Sequence, residues 1–432
     1  MKQGIEFLQE NIKPTLKELD NFSGREIEGI ESKPEKFLSL KEDDDFIIVK
    51  KNEGVVSDRK LTDFIVFISP SMGTETKIVE APHWRAINDD NVHSSIEINA
   101  PGNLPHVEYF YGVSTKGIGY MKPTAKGLNI EEYDSWTVKD KEGVNDQGYK
   151  VLGLISKEEA EGGTLIEKSE KLLALGLRTE LYWGMAELKR IPFKGKMMTV
   201  DELREKKIIS PRKDYTPYEV VRLLKMNNRI AEANQSEQRR LELFRKAFDV
   251  FNQETRDKDL LLPEIMLGDP AKEQIYFKEF FKRMAENMAI LLNIGHDHGY
   301  LHSANVSLAA EIADVGTISP WQEEEDKDNL NKYSEVRRSH LKDMRDVCYG
   351  LKILIKAGKR AGLDSGDKAI LEQVFFDAFN SVLDPKKVEA QKTNPKNAEK
   401  WMRQIFNSVI IKGENLPSLL HNEVEDWNIE IV

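Results

Sequence analysis

The sequence predicts an α+β protein, with strands concentrated in the first half of the chain and helices in the second. The first observation is a series of short apolar runs, such as 46–49 and 64–68, separated by charged turns that contain glycine. The second is the stretch 273–294, where large apolar residues recur at three- and four-residue spacing, as on the buried face of a helix. Three later stretches carry the same helical periodicity: 337–357, 367–383 and 396–410.

Composition limits the class of protein. At 432 residues, the chain can form one large two-lobed unit or two to three smaller domains. A net charge of −11 argues against nucleic-acid binding, which rewards faces dense in Lys and Arg. The N-terminal segment is acidic, and no apolar run approaches the roughly 20 residues needed to cross a bilayer. We therefore expect a cytoplasmic protein that binds neither nucleic acid nor membrane.

The single cysteine, Cys348, excludes an intrachain disulfide and any metal site built from several cysteines. Its spacing relative to neighbouring leucines places it on the apolar face of a helix, which favours a buried structural thiol.

Between the two halves, residues 107–127 read as a strand, a glycine-containing turn and a second strand, which predicts a hairpin. A further strand is expected at 149–155. A helix should follow from Thr164 to Leu175 and end at Gly176, because glycine accepts the left-handed conformation that terminates helices.

The most informative segment is HGYLHSANVS at 298–307, followed after six residues by Asp314-Val-Gly. A loop that leaves a buried helix, makes a short hairpin and returns to Asp-x-Gly brings the Asn305 amide near the Asp314 carboxylate. Mg²⁺ and similar cations prefer oxygen ligands and often take only one or two from protein, the rest coming from phosphates and water. Kinase-like enzymes use an Asn and an Asp in this way. The segment therefore predicts ATP binding through Mg²⁺ or Mn²⁺.

Two other interpretations remain open for this segment. Asn305 could simply form a turn while Asp314 caps a neighbouring element. Alternatively, His296, His298 and His302 fall within seven residues, and imidazole is a common zinc ligand.

The segment resembles the signature of the selenoprotein O family, His-Gly-x-x-Asn-Thr-Asp-Asn-x-Ser, with the same gap to Asp-Tyr-Gly. Two earlier segments are similar to that family in the same order. They are Lys116-Gly-Ile-Gly119, which resembles Lys-Gly-Ala-Gly, and 169–179, which resembles Ser-Glu-Ala-Met-x-x-Leu-Gly-Ile-Pro-Thr. Arg222 and Arg229 reproduce the seven-residue separation of two family arginines. Together these similarities span roughly 107–316.

The resemblance implies a protein-kinase-like bilobal fold that binds ATP in a flipped orientation and transfers AMP to protein hydroxyl groups. It implies an N-terminal extension over 1–100, an N-lobe over 101–225 and a helical C-lobe over 226–432, with the catalytic-type loop at 296–316. The ligands would be ATP with Mg²⁺ or Mn²⁺, and a protein substrate is a possible partner. The oligomeric state is not predicted.

Carried over by position, the resemblance implies that Asn305 and Asp314 bind the metal. Lys116, in the turn with Gly117 and Gly119, would contact phosphate, although Lys122 and Lys150 compete for this role and a solvated lysine is the simpler alternative.

Arg222 and Arg229 would hold the far end of the triphosphate, but seven-residue spacing also fits a surface ion pair on one helical face. In kinase-like sites, a helix glutamate pairs with the lysine. Leu165 occupies the position expected for this glutamate, so Glu170 or Glu167 would have to take its place.

The sequence departs from the family at the acidic residue before the metal-binding Asn, where Ala304 stands. The alternative base position of kinases is Tyr300. His302 is the nearest titratable side chain and is the candidate general base, since its ordinary pKa of about 6.5 suits proton transfer near neutrality. The family's terminal redox cysteine or selenocysteine is also missing.

Three functions therefore remain open: transfer of AMP to protein Ser, Thr or Tyr, phosphate transfer to a small molecule, and a non-catalytic nucleotide-binding scaffold.

Overall fold

The computed structural model describes residues 37–68, 85–88, 92–99, 105–118, 155, 157, 160, 165–193, 196–206, 209, 216–235, 237, 239–320, 338–391 and 394–414. The described residues form two compact units. The first unit draws on Met1–Glu97, Val107–Glu167 and Leu181–Asn227, and the second on Ile98–His106, Lys168–Glu180 and Asn228–Val432. The α+β prediction is confirmed, because strands dominate the first unit and helices the second.

The first unit is built from twelve described strands. They are β1 Phe37–Ser39, β2 Phe46–Lys51, β3 Val55–Ser57, β4 Val66–Ile68, β5 Arg85–Asn88, β6 Ser94–Ile98, β7 His106–Phe110, β8 Gly112–Lys116, β9 Leu181–Leu188, β10 Arg190–Phe193, β11 Lys196–Thr199 and β12 Tyr218–Leu224. The main sheet has the order β2-β9-β12-β8-β5, and every neighbouring pair is antiparallel. Every residue of the central strand β12 is buried, as expected for a strand covered on both faces.

The sheet includes strands from the first hundred residues, since β2 and β5 form its two edges. The two compact units therefore differ from the predicted division at residues 100 and 225. A short helix, α2, spans Val200–Glu205 in this unit, and its first turn is closed by a capping box between Thr199 and Glu202.

The turn of the hairpin predicted over 107–127 is wrong, because a strand, β8, begins at Gly112. The strand β7 joins β3 and β6 in a separate sheet, while β8 pairs with β12 and β5. Gly112, expected in the turn, is the first residue of β8. Residues 119–127 lie outside the described residues, as does most of the strand expected at 149–155.

Helices make up most of the second unit. They are α1 Leu165–Ala174, whose last seven residues belong to this unit, α3 Ile230–Gln235, α4 Arg240–Asp257, α5 Pro270–Ile294, α6 Arg338–Arg360, α7 Lys368–Val382, α8 Pro385–Ala390 and α9 Pro395–Phe406. These bounds confirm the helices predicted near 164–175, 273–294, 337–357, 367–383 and 396–410. Within the described ranges, no helix is both long and apolar enough to cross a lipid bilayer.

Helix α5 is the centre of the second unit and positions the loop that follows it. It begins at an Asp269 N-cap followed by Pro270 and ends at Gly295, whose φ of 67° is left-handed. Its predicted apolar stripe is buried, including Phe277, Phe281 and Met288. The chain therefore leaves a fixed helix end directly before the loop.

Candidate functional site

The loop that follows α5 folds back on itself as a hairpin. Two short strands frame it, β13 (His296–Asp297) and β14 (Ser319–Pro320), which pair with each other. Inside this frame, Val306 pairs with Ile312, and the Ala313 N–H donates to the Asn305 carbonyl over 2.9 Å. Asn305 is thus the direct neighbour of the residue that precedes Asp314.

The two predicted metal ligands both remain accessible, because each is only half-buried. The Asn305 Nδ2 donates to the Tyr300 carbonyl over 2.9 Å, which fixes the amide and leaves Oδ1 on its other side. Asp314 has a left-handed backbone with φ of 59°, and its carbonyl accepts from the Thr317 N–H at 3.0 Å. Asp and Asn tolerate this conformation better than most residues.

His298 supports the loop from inside. Its ring is buried, Nε2 lies 2.7 Å from the Ala313 carbonyl, and Nδ1 accepts from the Tyr300 N–H at 3.3 Å. Burial lowers the pKa of His298, so the ring is neutral at pH 7. His296 likewise bonds through Nδ1 to the Ile294 carbonyl. Among the described residues, no group of three or more His, Cys, Asp or Glu could hold a metal, so the zinc interpretation gains no support.

Helix α6 anchors the beginning of the loop. The buried Asp343 Oδ2 accepts from the His298 N–H at 2.6 Å and from the Gly299 N–H at 3.2 Å. Burial raises the pKa of Asp343 to about 7. The next side chain, Lys342, donates to the Gly299 carbonyl and lies 4.4 Å from the centre of the Tyr300 ring. These contacts fix the loop backbone while the Tyr300 side chain remains 57% exposed.

Two further side chains hold the Asp314-Val-Gly turn. The buried Glu180 accepts from the Val315 N–H through Oε1 at 3.2 Å. The Lys168 Nζ donates to the Gly316 carbonyl at 3.0 Å. Sequence reasoning missed both residues, because each contact joins positions more than 130 residues apart and no local pattern marks them.

His302, the candidate general base, lies on the same loop and is half-buried. Its Nδ1 accepts from the Ala304 N–H at 3.3 Å. Burial lowers its pKa, although the nearby carboxylates of Asp346 and Asp314 act in the opposite direction. The imidazole is therefore neutral at pH 7 and able to accept a proton.

The predicted residues of the first unit lie on or near the main sheet. Lys116 is the half-buried last residue of β8, between Val220 and Arg85 on the neighbouring strands. Gly117 has φ of 89°, and a Cβ there would lie 2.2 Å from the Tyr218 carbonyl oxygen. The fold alone therefore requires glycine at 117. The other predicted members of this turn, Gly119 and Lys122, lie outside the described residues, and so does Lys150.

The two arginines do not share a helix. Arg222 is in the middle of β12, fully buried, and its Nη2 donates to Ser114 Oγ at 3.1 Å. Arg229 belongs to the second unit, is also buried, and pairs through its backbone with Ser307 next to the loop. The alternative of a surface ion pair on one helical face is wrong, because β12 is a strand and both side chains are buried.

The helix glutamates differ in their contacts. Glu170 is half-buried on α1. Glu167 accepts from the Lys50 Nζ of β2 at 2.6 and 2.9 Å. This lysine partner comes from the edge strand of the main sheet.

No family model matches the chain, and no curated protein matches it in sequence. Among solved structures, it is similar to a Toxoplasma gondii specific rhoptry antigen kinase domain, at 9% identity over 76% of this chain and 88% of that one, with a TM-score of 0.21. It is also similar to ROP2 from Toxoplasma gondii, described as a virulence factor with a protein-kinase fold and no enzymatic activity. That match has 8% identity over 77% of this chain and 87% of ROP2, with a TM-score of 0.27. At these TM-scores, neither similarity bears on function.

Proposed function

We propose that this protein binds a nucleoside triphosphate through a divalent cation held by Asn305 and Asp314. The supporting observation is the hairpin in which the Asn305 carbonyl accepts from the N–H of Ala313, the residue before Asp314. Both side chains are half-buried, and both supply the oxygen ligands that Mg²⁺ and Mn²⁺ prefer. Two protein oxygens suit a site whose remaining ligands are phosphate oxygens and water.

The order of elements supports a protein-kinase-like fold. An antiparallel sheet comes first, with helix α1 inserted in the chain between β8 and β9. A helical unit follows, in which the long α5 leads into a loop carrying the Asn and the Asp-x-Gly turn. Protein kinases bind their metal ions with a catalytic-loop Asn and the Asp of such a turn.

The reaction proposed for this site is transfer of AMP to a hydroxyl group of protein Ser, Thr or Tyr, as the family resemblance implies. The acceptor oxygen would bond to the α-phosphorus, and the bond to the β-phosphate oxygen would break, releasing pyrophosphate. The neutral His302 would take the hydroxyl proton. A bound cation would neutralise charge on the phosphates. Lys116 and Arg229 remain the proposed phosphate contacts. Glu170 remains the proposed helix glutamate that pairs with the phosphate-binding lysine.

A second candidate is a nucleotide-binding scaffold without catalysis. It is favoured by the two positions that usually carry the base, which hold Ala304 and Tyr300. Neither side chain accepts a proton at neutral pH, and losing a positioned base typically costs about 10²–10⁴-fold in rate.

Labelled nucleotide tests the proposal. The protein is incubated with Mn²⁺ and ATP labelled on the α- or the γ-phosphate, and ATP binding is measured by calorimetry in parallel. We expect saturable, metal-dependent binding and retention of the α label on protein. Transfer of the γ label to an added small-molecule acceptor would favour the phosphotransferase alternative, and binding without transfer would favour the scaffold. Absence of Mn²⁺-dependent ATP binding would overturn the proposed function.

A further inference from the structure

Lys168 lies on α1 and reaches the turn that carries the proposed metal ligand. Its Nζ donates to the Gly316 carbonyl at 3.0 Å, two residues after Asp314. This is its one hydrogen bond within the described part of the chain. An ammonium group carries three donors, so two remain for a ligand while the bond to Gly316 is kept.

The charge of Lys168 is poorly compensated where it lies. The side chain is half-buried, and burial lowers its pKa without a compensating carboxylate. Its acceptor is a neutral carbonyl, which balances an ammonium charge less well than an anion does. A lysine in such surroundings gains most from a phosphate, because the attraction between opposite charges then adds to the hydrogen bond.

No sequence motif identifies Lys168 as a ligand-binding residue. Lys171 on the same helix provides a matched control. Lys171 is exposed and makes no side-chain hydrogen bond within the described residues. The two lysines therefore differ in their contact with the Asp314-Val-Gly turn and in their exposure.

We propose that Lys168 is a phosphate-binding residue, which contacts the polyphosphate of the nucleotide whose cation is held by Asn305 and Asp314. This inference rests on the proposed function and adds a cation from α1 to it. The lysine stem is flexible enough to place Nζ on a phosphate oxygen beside the metal, and its bond to Gly316 keeps it next to the turn beforehand.

Binding measurements on matched variants test the inference. Mn²⁺-ATP, Mn²⁺-ADP and adenosine are titrated into the wild-type protein and into Lys168→Met, Lys168→Arg and Lys171→Met. We expect Lys168→Met to weaken ATP binding about 10- to 100-fold, to weaken ADP binding less, and to leave adenosine binding unchanged. Lys168→Arg should recover part of the loss, because the charge is restored. Lys171→Met should match the wild type.

A purely structural role predicts a different pattern. If Lys168 only clamps the turn, Lys168→Met should lower the thermal midpoint of the ligand-free protein and weaken all three ligands equally. That result, or ATP binding by Lys168→Met equal to that of Lys171→Met, would overturn the inference while leaving the proposed function intact. A wild-type protein that fails to bind Mn²⁺-ATP would overturn both.

Discussion

Polar side chains are used differently in the loop of the second unit and in the main sheet of the first. Around the loop, the buried side chains of Asp343 on α6 and His298 bind backbone atoms, while Asn305 and Asp314 stay half-exposed. In the sheet, Arg222 is fully buried inside the central strand.

Glu219 on the same strand is also fully buried. It accepts from the Val66 N–H at 3.2 Å, and burial raises its pKa well above the ordinary range. Its carboxyl group therefore belongs to the protein interior.

The difference separates two kinds of polar residue. The polar side chains of the central strand are buried in the protein interior. In the loop, some polar side chains support the backbone, and others keep ligand atoms accessible. Only the second arrangement leaves ligand atoms available on a rigid backbone, which is what a binding site requires.

The largest effect that tests this contrast is expected at Asp314. Asp314→Asn keeps the size of the side chain but removes the charge, so Mn²⁺-dependent ATP binding should fall by on the order of 100-fold or more. Calorimetry measures the affinity, and circular dichroism checks that the fold is retained. The exposed Asp249 on α4 provides the control, and Asp249→Asn should bind as the wild type does. Wild-type affinity in Asp314→Asn would contradict the assigned site.

A substitution at His302 tests whether the accessible side chains of the loop include a general base. If AMP is transferred, His302→Gln should reduce the rate about 10²–10⁴-fold while the ATP affinity changes little. Because burial lowers the pKa of His302, the acidic limb of the wild-type pH-rate profile should lie below pH 6.5 and should vanish in the variant. An unchanged profile would remove His302 from the mechanism. His106→Gln, at an exposed position of β7, is the control.

A substitution at Arg222 tests the role of the buried polar side chains in the main sheet. Its burial predicts that Arg222→Ala lowers the free energy of unfolding by about 2–3 kcal/mol, because the large side chain leaves a cavity and Ser114 loses a hydrogen-bond donor. Urea denaturation measures this change. The family resemblance instead predicts weaker ATP binding without loss of stability, and that outcome would show that Arg222 reaches the ligand.

A pH-dependent effect on stability is expected at Asp343. Burial raises its pKa from 3.8 to about 7, so the native state holds a proton that the unfolded chain releases near pH 4. Its contribution to stability therefore decreases as pH rises from about 4 to 7 and is constant above that. Asp343→Asn removes the titration, so the unfolding free energy of the variant minus that of the wild type should increase by about 4 kcal/mol across this window, since each pKa unit is worth about 1.4 kcal/mol. A pH-independent difference would contradict this assignment.

Much of the helical half was predictable from the sequence, because its periodicity is strong and its ends carry local signals. The range predicted from the stripe at 273–294 is close to α5, whose end is marked by Gly295. Strand pairing was not predictable in the same way. Residues 106–116 contain two strands separated by Tyr111, and pairing with β12, about a hundred residues later, overrides the local hairpin pattern.

In the candidate site, some residues could likewise be predicted from the sequence and others could not. The motif itself supplied Asn305, Asp314 and His302, since they lie within one loop of the sequence. The supporting contacts of Lys168 and Glu180 come from distant parts of the chain, and only the folded structure brings them to the turn. The helical-face alternative for Arg222 failed because VVRLL has no clear period, so a buried strand could not be distinguished from a helix face.

The left-handed backbone at Asp314 has a consequence for directed evolution of this protein. A φ of 59° favours Gly, Asn and Asp and penalises branched or bulky residues. A randomised library screened only for soluble expression should therefore return these three residues at position 314. The same library screened for retention of nucleotide should return aspartate. Comparing the residue frequencies at position 314 in the two screens therefore separates the need for a negative charge from the need for the turn.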